Sequence, residues 1–143
     1  MQITKTGSAH WTGQIKDGKG TISTESGALQ DQPYGFNTRF EGKKGSNPEE
    51  LLGAAHAACF TMALSKILGD AGFTPAALDT SAHVTLEKQS EGFAITKIHL
   101  SLEGAVPGVD SATFTKLAEQ AKSGCPVSKL FNAEITMDAS LKS

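Results

Sequence analysis

Asn47-Pro48-Glu49-Glu50-Leu51-Leu52-Gly53-Ala54-Ala55-His56-Ala57-Ala58-Cys59-Phe60-Thr61-Met62-Ala63-Leu64 is the stretch on which the fold turns. Asn47 offers an N-cap, Pro48 the backbone angle favoured at the first helical position, and Glu49 and Glu50 place acids at the positive end of a helix. The predicted helix runs to about Leu68 and closes at Gly69 or Gly72. Between Leu51 and Leu64 only His56 and Thr61 are clearly polar, so the helix is expected to be buried nearly all round. A membrane span competes for this run. The acids at its start, His56 within it and Ser65-Lys66 near its end leave too short an apolar length for that. Gly53, Ala54, Ala55, Ala57 and Ala58 permit close approach of another backbone, and a chain of 143 residues has few elements to cover such a helix. A homodimer is therefore expected.

Working outward, the first forty residues are rich in Gly, Thr and Ser. Gly20-Thr21-Ile22-Ser23-Thr24 and Tyr34-Gly35-Phe36-Asn37-Thr38-Arg39-Phe40 belong to three predicted strands joined by turns. Beyond the helix, Ala82 to Glu87 and Phe93 to Leu102 alternate in polarity around Lys88-Gln89-Ser90-Glu91-Gly92, which predicts a hairpin. Asp110-Ser111 caps a second helix through about Lys122, with Phe114, Leu117, Ala118 and Ala121 on one stripe and Gly124 as its stop. A short helical turn from Pro126 and a strand over Ala133 to Ala139 follow. The class is α+β with mostly antiparallel sheet, in a single domain.

A net charge of -2, with no block of Lys or Arg, provides no footprint for nucleic acid or an anionic membrane. The opening Met1-Gln2-Ile3-Thr4-Lys5-Thr6-Gly7 has no apolar core of a secretory signal, so a cytoplasmic address is expected. In that reducing setting two cysteines point to redox or metal chemistry rather than a permanent staple, with inert packing as the alternative.

The two thiols sit in different surroundings. Cys125 precedes Pro126 at an N-cap position, where free backbone N–H groups favour thiolate over thiol. Cys59 lies mid-helix among apolar residues and needs a cationic neighbour to react. Local context alone names Cys125 the nucleophile. Arg39 can supply a cation for Cys59, and Glu49 can orient it through a charge-assisted pair; a surface arginine and a helix-start acid are the plainer accounts of each. Ten residues of helix separate Glu49 from Cys59 by ~15 Å, so a cluster of Glu49, Arg39 and Cys59 would draw on two subunits. His56 and Cys59 share a helix face, which makes metal a rival idea. Completing four ligands would need Cys125 and one of His10, His83 or His99, without ligand spacing, so a packed core histidine is the simpler account. Gly42-Lys43-Lys44-Gly45-Ser46 lacks the order of a phosphate loop and is expected to be a linker. Phe36, Phe40, Phe60, Met62 and Phe131 are candidates to line an apolar pocket or to pack the core.

The run Asn47 to Phe60, followed by Gly124-Cys125-Pro126-Val127-Ser128, resembles the OsmC/Ohr family over essentially the whole chain. Trp11-Thr12-Gly13, Gly18-Lys19-Gly20-Thr21 and Pro33 to Phe40 are similar to its OsmC branch rather than its Ohr branch. The resemblance implies an OsmC-like fold, with antiparallel sheets wrapped around a long central helix in an intertwined homodimer. It implies a thiol-dependent peroxidase acting on organic hydroperoxides in stress defence, with Cys59 peroxidatic and Cys125 resolving, which reverses the local ranking. Arg39 and Glu49 match the residues that hold the thiolate, and a full charge beside a half-buried thiol outweighs a short helix dipole. By the same resemblance, an external dithiol such as a lipoylated protein recycles the Cys59–Cys125 disulfide, with no metal, flavin or nucleotide. The alternatives are a non-enzymatic carrier of an apolar ligand in the dimer interior and, more distantly, a zinc module.

Overall fold

Three short segments bounded by glycine-rich turns form the strands β1 (Gly7–Thr12), β2 (Lys19–Thr24) and β3 (Gln32–Tyr34), paired antiparallel in the order β1-β2-β3. This computed structural model describes residues 1–143, and the chain divides into two compact units, Met1–Leu51 and Leu52–Ser143. In the first unit the register sets Trp11 opposite Gly20 and Gly20 opposite Tyr34. The hydrogen atom that serves glycine as a side chain leaves room for the two rings to meet over β2, with centroids 5.5 Å apart.

The expected third strand stops at Tyr34. Phe36–Phe40 is instead a short helix, α1. Thr38 explains the departure: its hydroxyl oxygen accepts the Gly35 N–H at 3.0 Å and its proton goes to the Gly35 carbonyl at 3.1 Å. That local closure outcompetes extension to a sheet edge, and Arg39 N–H completes the turn onto Gly35 O.

The long helix α2 (Pro48–Asp70) begins as its sequence dictates, with Asn47 Oδ1 accepting the Glu50 N–H at 2.8 Å. In the second unit it lies across the strands β4 (Ala77–Gln89), β5 (Gly92–Ala105) and β6 (Glu134–Leu141). The β4–β5 hairpin is antiparallel, whereas β6 returns parallel to β5 after the helices α3 (Ser111–Gly124) and α4 (Pro126–Leu130). Phe60, Leu64 and Leu68 of α2 meet Ile98, Leu100 and Leu102 of β5 and Phe114, Ala118 and Ala121 of α3 in one buried apolar core. Gly53 brings α2 down onto β4; a Cβ there would stand 3.1 Å from the Ala82 carbonyl oxygen.

Burial all round α2 is not reached within one chain. By length and composition α2 could cross a membrane, yet it buries the stripe Gly53, His56, Phe60, Leu64 and Leu68 in the protein core. Ala54, Ala55, Ala58, Met62 and Ser65 remain exposed, Met62 at 76%. Within the second unit one three-stranded sheet covers one side of the helix.

α3 is launched by Asp110, whose carboxylate accepts the Thr113 N–H at 2.7 Å and hydroxyl at 3.1 Å. Those donors hold the carboxyl below its ordinary value. A depressed folded value means the stabilisation is present above the unfolded value, near pH 4, and is lost as pH falls through the folded one. Asp110→Ala should therefore lower the Tm at pH 7, with the gap to the parent closing as pH drops below about 4, in paired thermal melts.

Candidate functional site

α3 ends and α4 begins at one residue, Cys125. Its N–H bonds the Ala121 carbonyl at 3.0 Å, closing α3, while its extended backbone makes it the N-cap of α4. Pro126 at the first helical position contributes no N–H. The first turn of α4 therefore has Val127 and Ser128 as donors, and both point at sulfur. Ser128 N–H reaches Cys125 Sγ at 3.4 Å, and Val127 N–H is the backbone partner of the Cys59 sulfur.

Cys59 and Cys125 are free thiols whose side chains adjoin, so the structure brings together two residues 66 positions apart. Cys125 is fully buried and Cys59 partly accessible. Burial pushes the Cys59 thiol up, the Val127 N–H pulls it back, and the adjoining Cys125 sulfur raises it again. Two neighbouring sulfurs resist carrying negative charge together. Within this unit Cys59 thus lacks the cation its sequence setting calls for.

Behind the thiols lies a polar pair in the core. His56 Nε2 and Ser128 Oγ are 2.7 Å apart, and Ser128 Oγ is 3.1 Å from Cys125 Sγ. His56 is wholly buried, with the Phe131 ring at 5.4 Å; burial lowers its pKa, so the imidazole is neutral at neutral pH. Its Nδ1 has no hydrogen-bond partner. Nowhere do three or more His, Cys, Asp or Glu side chains gather with metal-binding geometry.

The first unit holds the charged part of the predicted site. Arg39 Nη2 donates to Glu49 Oε1 at 2.7 Å, and Nε lies 3.1 and 3.2 Å from the two carboxylate oxygens, which leaves Nη1 outside the pair. Glu49 is the more enclosed partner, at 13% side-chain exposure against 36% for Arg39. Arg39 also stands over the Phe40 ring at 5.4 Å and lines a hollow of about 300 Å³ with Trp11, Ile15, Tyr34, Phe36 and Phe40. Of the five expected pocket residues, only Phe36 and Phe40 line it. Phe60 is core, Phe131 packs on His56, and Met62 lies on the bare face of α2.

Sequence reading missed Trp11, Ile15 and Tyr34 as lining residues and Ser128 as a thiol partner. The position of Ser128 three residues after the N-cap was a usable signal, because that is where a capping sulfur and a first-turn side chain meet. The link from His56 to Ser128 spans 72 residues and had none.

A chain with two adjoining free thiols at one helix start, on an α+β scaffold, is a two-cysteine thiol protein. Residues 41–140 match the OsmC-like protein family, and the chain belongs to it. It is 66% identical to the peroxiredoxin OsmC of Escherichia coli (strain K12) over 143 residues, spanning 100% of each chain. The crystal structure of the organic hydroperoxide resistance protein OhrB of Bacillus subtilis superposes with a TM-score of 0.68 at 26% identity, over 96% of this chain and 98% of that one. An OsmC like protein from Mycoplasma pneumoniae shares the fold, with a TM-score of 0.78 at 15% identity over 100% of both chains.

The hollow depends on Gly20, since a Cβ there would stand 2.6 Å from Trp11 Cε3 and collide with the Tyr34 ring. Gly20→Ala should force the rings apart, red-shifting the emission of the single tryptophan and costing about 1–3 kcal/mol in denaturant titration.

Proposed function

We propose that this chain is a thiol-dependent peroxidase that reduces organic hydroperoxides to alcohols, in cytoplasmic defence against peroxide stress. The observation that carries the reading is the pair of free thiols, set side by side at successive N–H groups of one helix turn. The names of the E. coli and B. subtilis relatives support the same activity.

Cys59, the accessible thiol, attacks the peroxide oxygen as thiolate; the O–O bond breaks, alcohol leaves, and Cys59 becomes a sulfenic acid. Cys125 condenses with it, releasing water and forming the Cys59–Cys125 disulfide. An external dithiol, with a lipoylated protein as candidate donor, returns both thiols. Burial sets Cys59 against ionisation, so a full positive charge is required, and Arg39 held by Glu49 is the group we assign to it. The aromatic hollow beside Arg39 suits the alkyl part of a hydroperoxide, each buried methylene contributing about 0.8 kcal/mol.

The working form in this reading is a homodimer. Its support is the exposed apolar face of α2 and the ~15 Å of helix between Glu49 and Cys59, which favours charge delivered across two subunits.

Cys59→Ser should abolish dithiol-dependent consumption of cumene hydroperoxide. Cys125→Ser should give one turnover and then accumulate Cys59 sulfenic acid, trapped as a dione adduct and read by mass spectrometry. Full turnover by the Cys59→Ser protein would defeat the mechanism, whereas no turnover by the parent would favour an apolar-ligand carrier, which needs neither thiol. Arg39→Ala should slow peroxide reduction by roughly tenfold to a hundredfold, the worth of a hydrogen bond to a charged group. Met62→Glu should turn the dimer into monomer in sedimentation velocity with the far-ultraviolet spectrum intact; a parent already monomeric would remove the dimer from the proposal.

A further inference from the structure

His56, Ser128 and Cys125 form a buried chain that the reaction above leaves unused. All three are less than one-tenth exposed, on elements brought together by the fold: His56 on α2, Cys125 and Ser128 at the start of α4. A neutral imidazole carries one N–H. On Nδ1 that proton would be a buried donor without a partner, an arrangement native proteins avoid more strictly than a bare acceptor. On Nε2 it has Ser128 Oγ at 2.7 Å. With Ser128 Oγ accepting from His56, the serine's own proton has the Cys125 sulfur to turn to at 3.1 Å.

We propose that His56 is a positioning residue that orders this chain, so that Ser128 presents both its O–H and its N–H to the Cys125 sulfur and makes Cys125 the departing thiolate when the disulfide is reduced. The inference rests on the two-cysteine cycle proposed above. It also assigns which sulfur an external dithiol attacks. Cys125 is fully buried and Cys59 partly accessible, so the incoming thiolate bonds to Cys59. The Cys59–Cys125 bond then breaks with its electron pair on Cys125, whose new charge is received by the two Ser128 donors. The second thiol of the reductant attacks the mixed disulfide and releases Cys59; its two thiol protons supply those of Cys59 and Cys125. The dithiol is oxidised to a disulfide and both cysteines are reduced. His56 stays neutral throughout and only holds the direction of the Ser128 proton.

The test takes full-length protein oxidised with one equivalent of cumene hydroperoxide and follows reduction of its disulfide by dihydrolipoamide, with acid quench and thiol alkylation. Ser128→Ala should reduce the rate constant about tenfold, as expected for one lost hydrogen bond to a developing charge. His56→Leu should do the same, and His56→Gln, whose side-chain amide keeps an N–H near the Nε2 position, should restore most of the rate. Rescue by glutamine distinguishes donor placement from core packing and from acid–base titration, neither of which glutamine supplies better than leucine. The proposal is overturned if Ser128→Ala, with an unchanged melting profile, is reduced at the parent rate, or if His56→Gln is as slow as His56→Leu. Should Ser128→Ala not fold, the two His56 variants decide. If the parent forms no Cys59–Cys125 disulfide with hydroperoxide, the two-cysteine cycle itself falls and this inference with it.

Discussion

The first turn of α4 has two backbone donors to give, and both go to sulfur. Proline at the head of the turn removes one N–H, and the next two, Val127 and Ser128, face Cys59 and Cys125. Those N–H groups need partners wherever a helix starts in a buried setting. Here two thiols satisfy them, which draws α2 and α4 to one spot. Much of the second unit serves that meeting. α3 ends on Cys125, Gly53 lets α2 lie close on β4, and the Phe60, Leu64 and Leu68 stripe locks the rotation of α2 so that Cys59 turns toward α4. A rotation by one residue would carry the thiol about 100° around the axis.

The energetics of the pair are unequal. Neutral N–H donors offset part of the cost of placing charge on a sulfur, but burial and a second sulfur work against Cys59. In the proposed reaction the missing term is a full charge, and the Arg39–Glu49 pair is built to carry one without wandering: three short contacts fix the guanidinium, and one of its faces rests on Phe40. Glu49 offsets some of that charge, so the pair exchanges strength for direction, as positioned electrostatic groups generally do. The bare face of α2 belongs to the same reasoning. A helix with exposed Ala54, Ala55, Ala58 and Met62 is left half-covered by its own chain, and the proposed second copy would cover it while completing the charge at Cys59.

How much of this was legible beforehand divides along a physical line. Asn47-Pro48-Glu49-Glu50 announced the start of α2, Asp110-Ser111 that of α3, and the alternation around Glu91-Gly92 the β4–β5 hairpin, because capping and strand periodicity act over a few residues. The apolar ends of Phe36–Phe40 fit a strand pattern, while the bonds that decide for helix run from Thr38 to its own neighbouring backbone. The aromatic hollow was half seen. Phe36 and Phe40 stood out by composition, but Trp11 and Tyr34 meet only because register places Gly20 between them.

The sequence by itself determined the thiol inventory, the helix start that holds Glu49, the proline that strips one donor from α4, and the family to which the motifs belong. Those are properties of residue type and short spacing. Only the tertiary structure decided that the Cys59 and Cys125 sulfurs meet, that Arg39 grips Glu49 through Nε and Nη2, and that His56 reaches Ser128 across 72 residues. Each of these is a contact between segments far apart in the chain, fixed by which faces of the helices the core buries, and no local pattern encodes that choice.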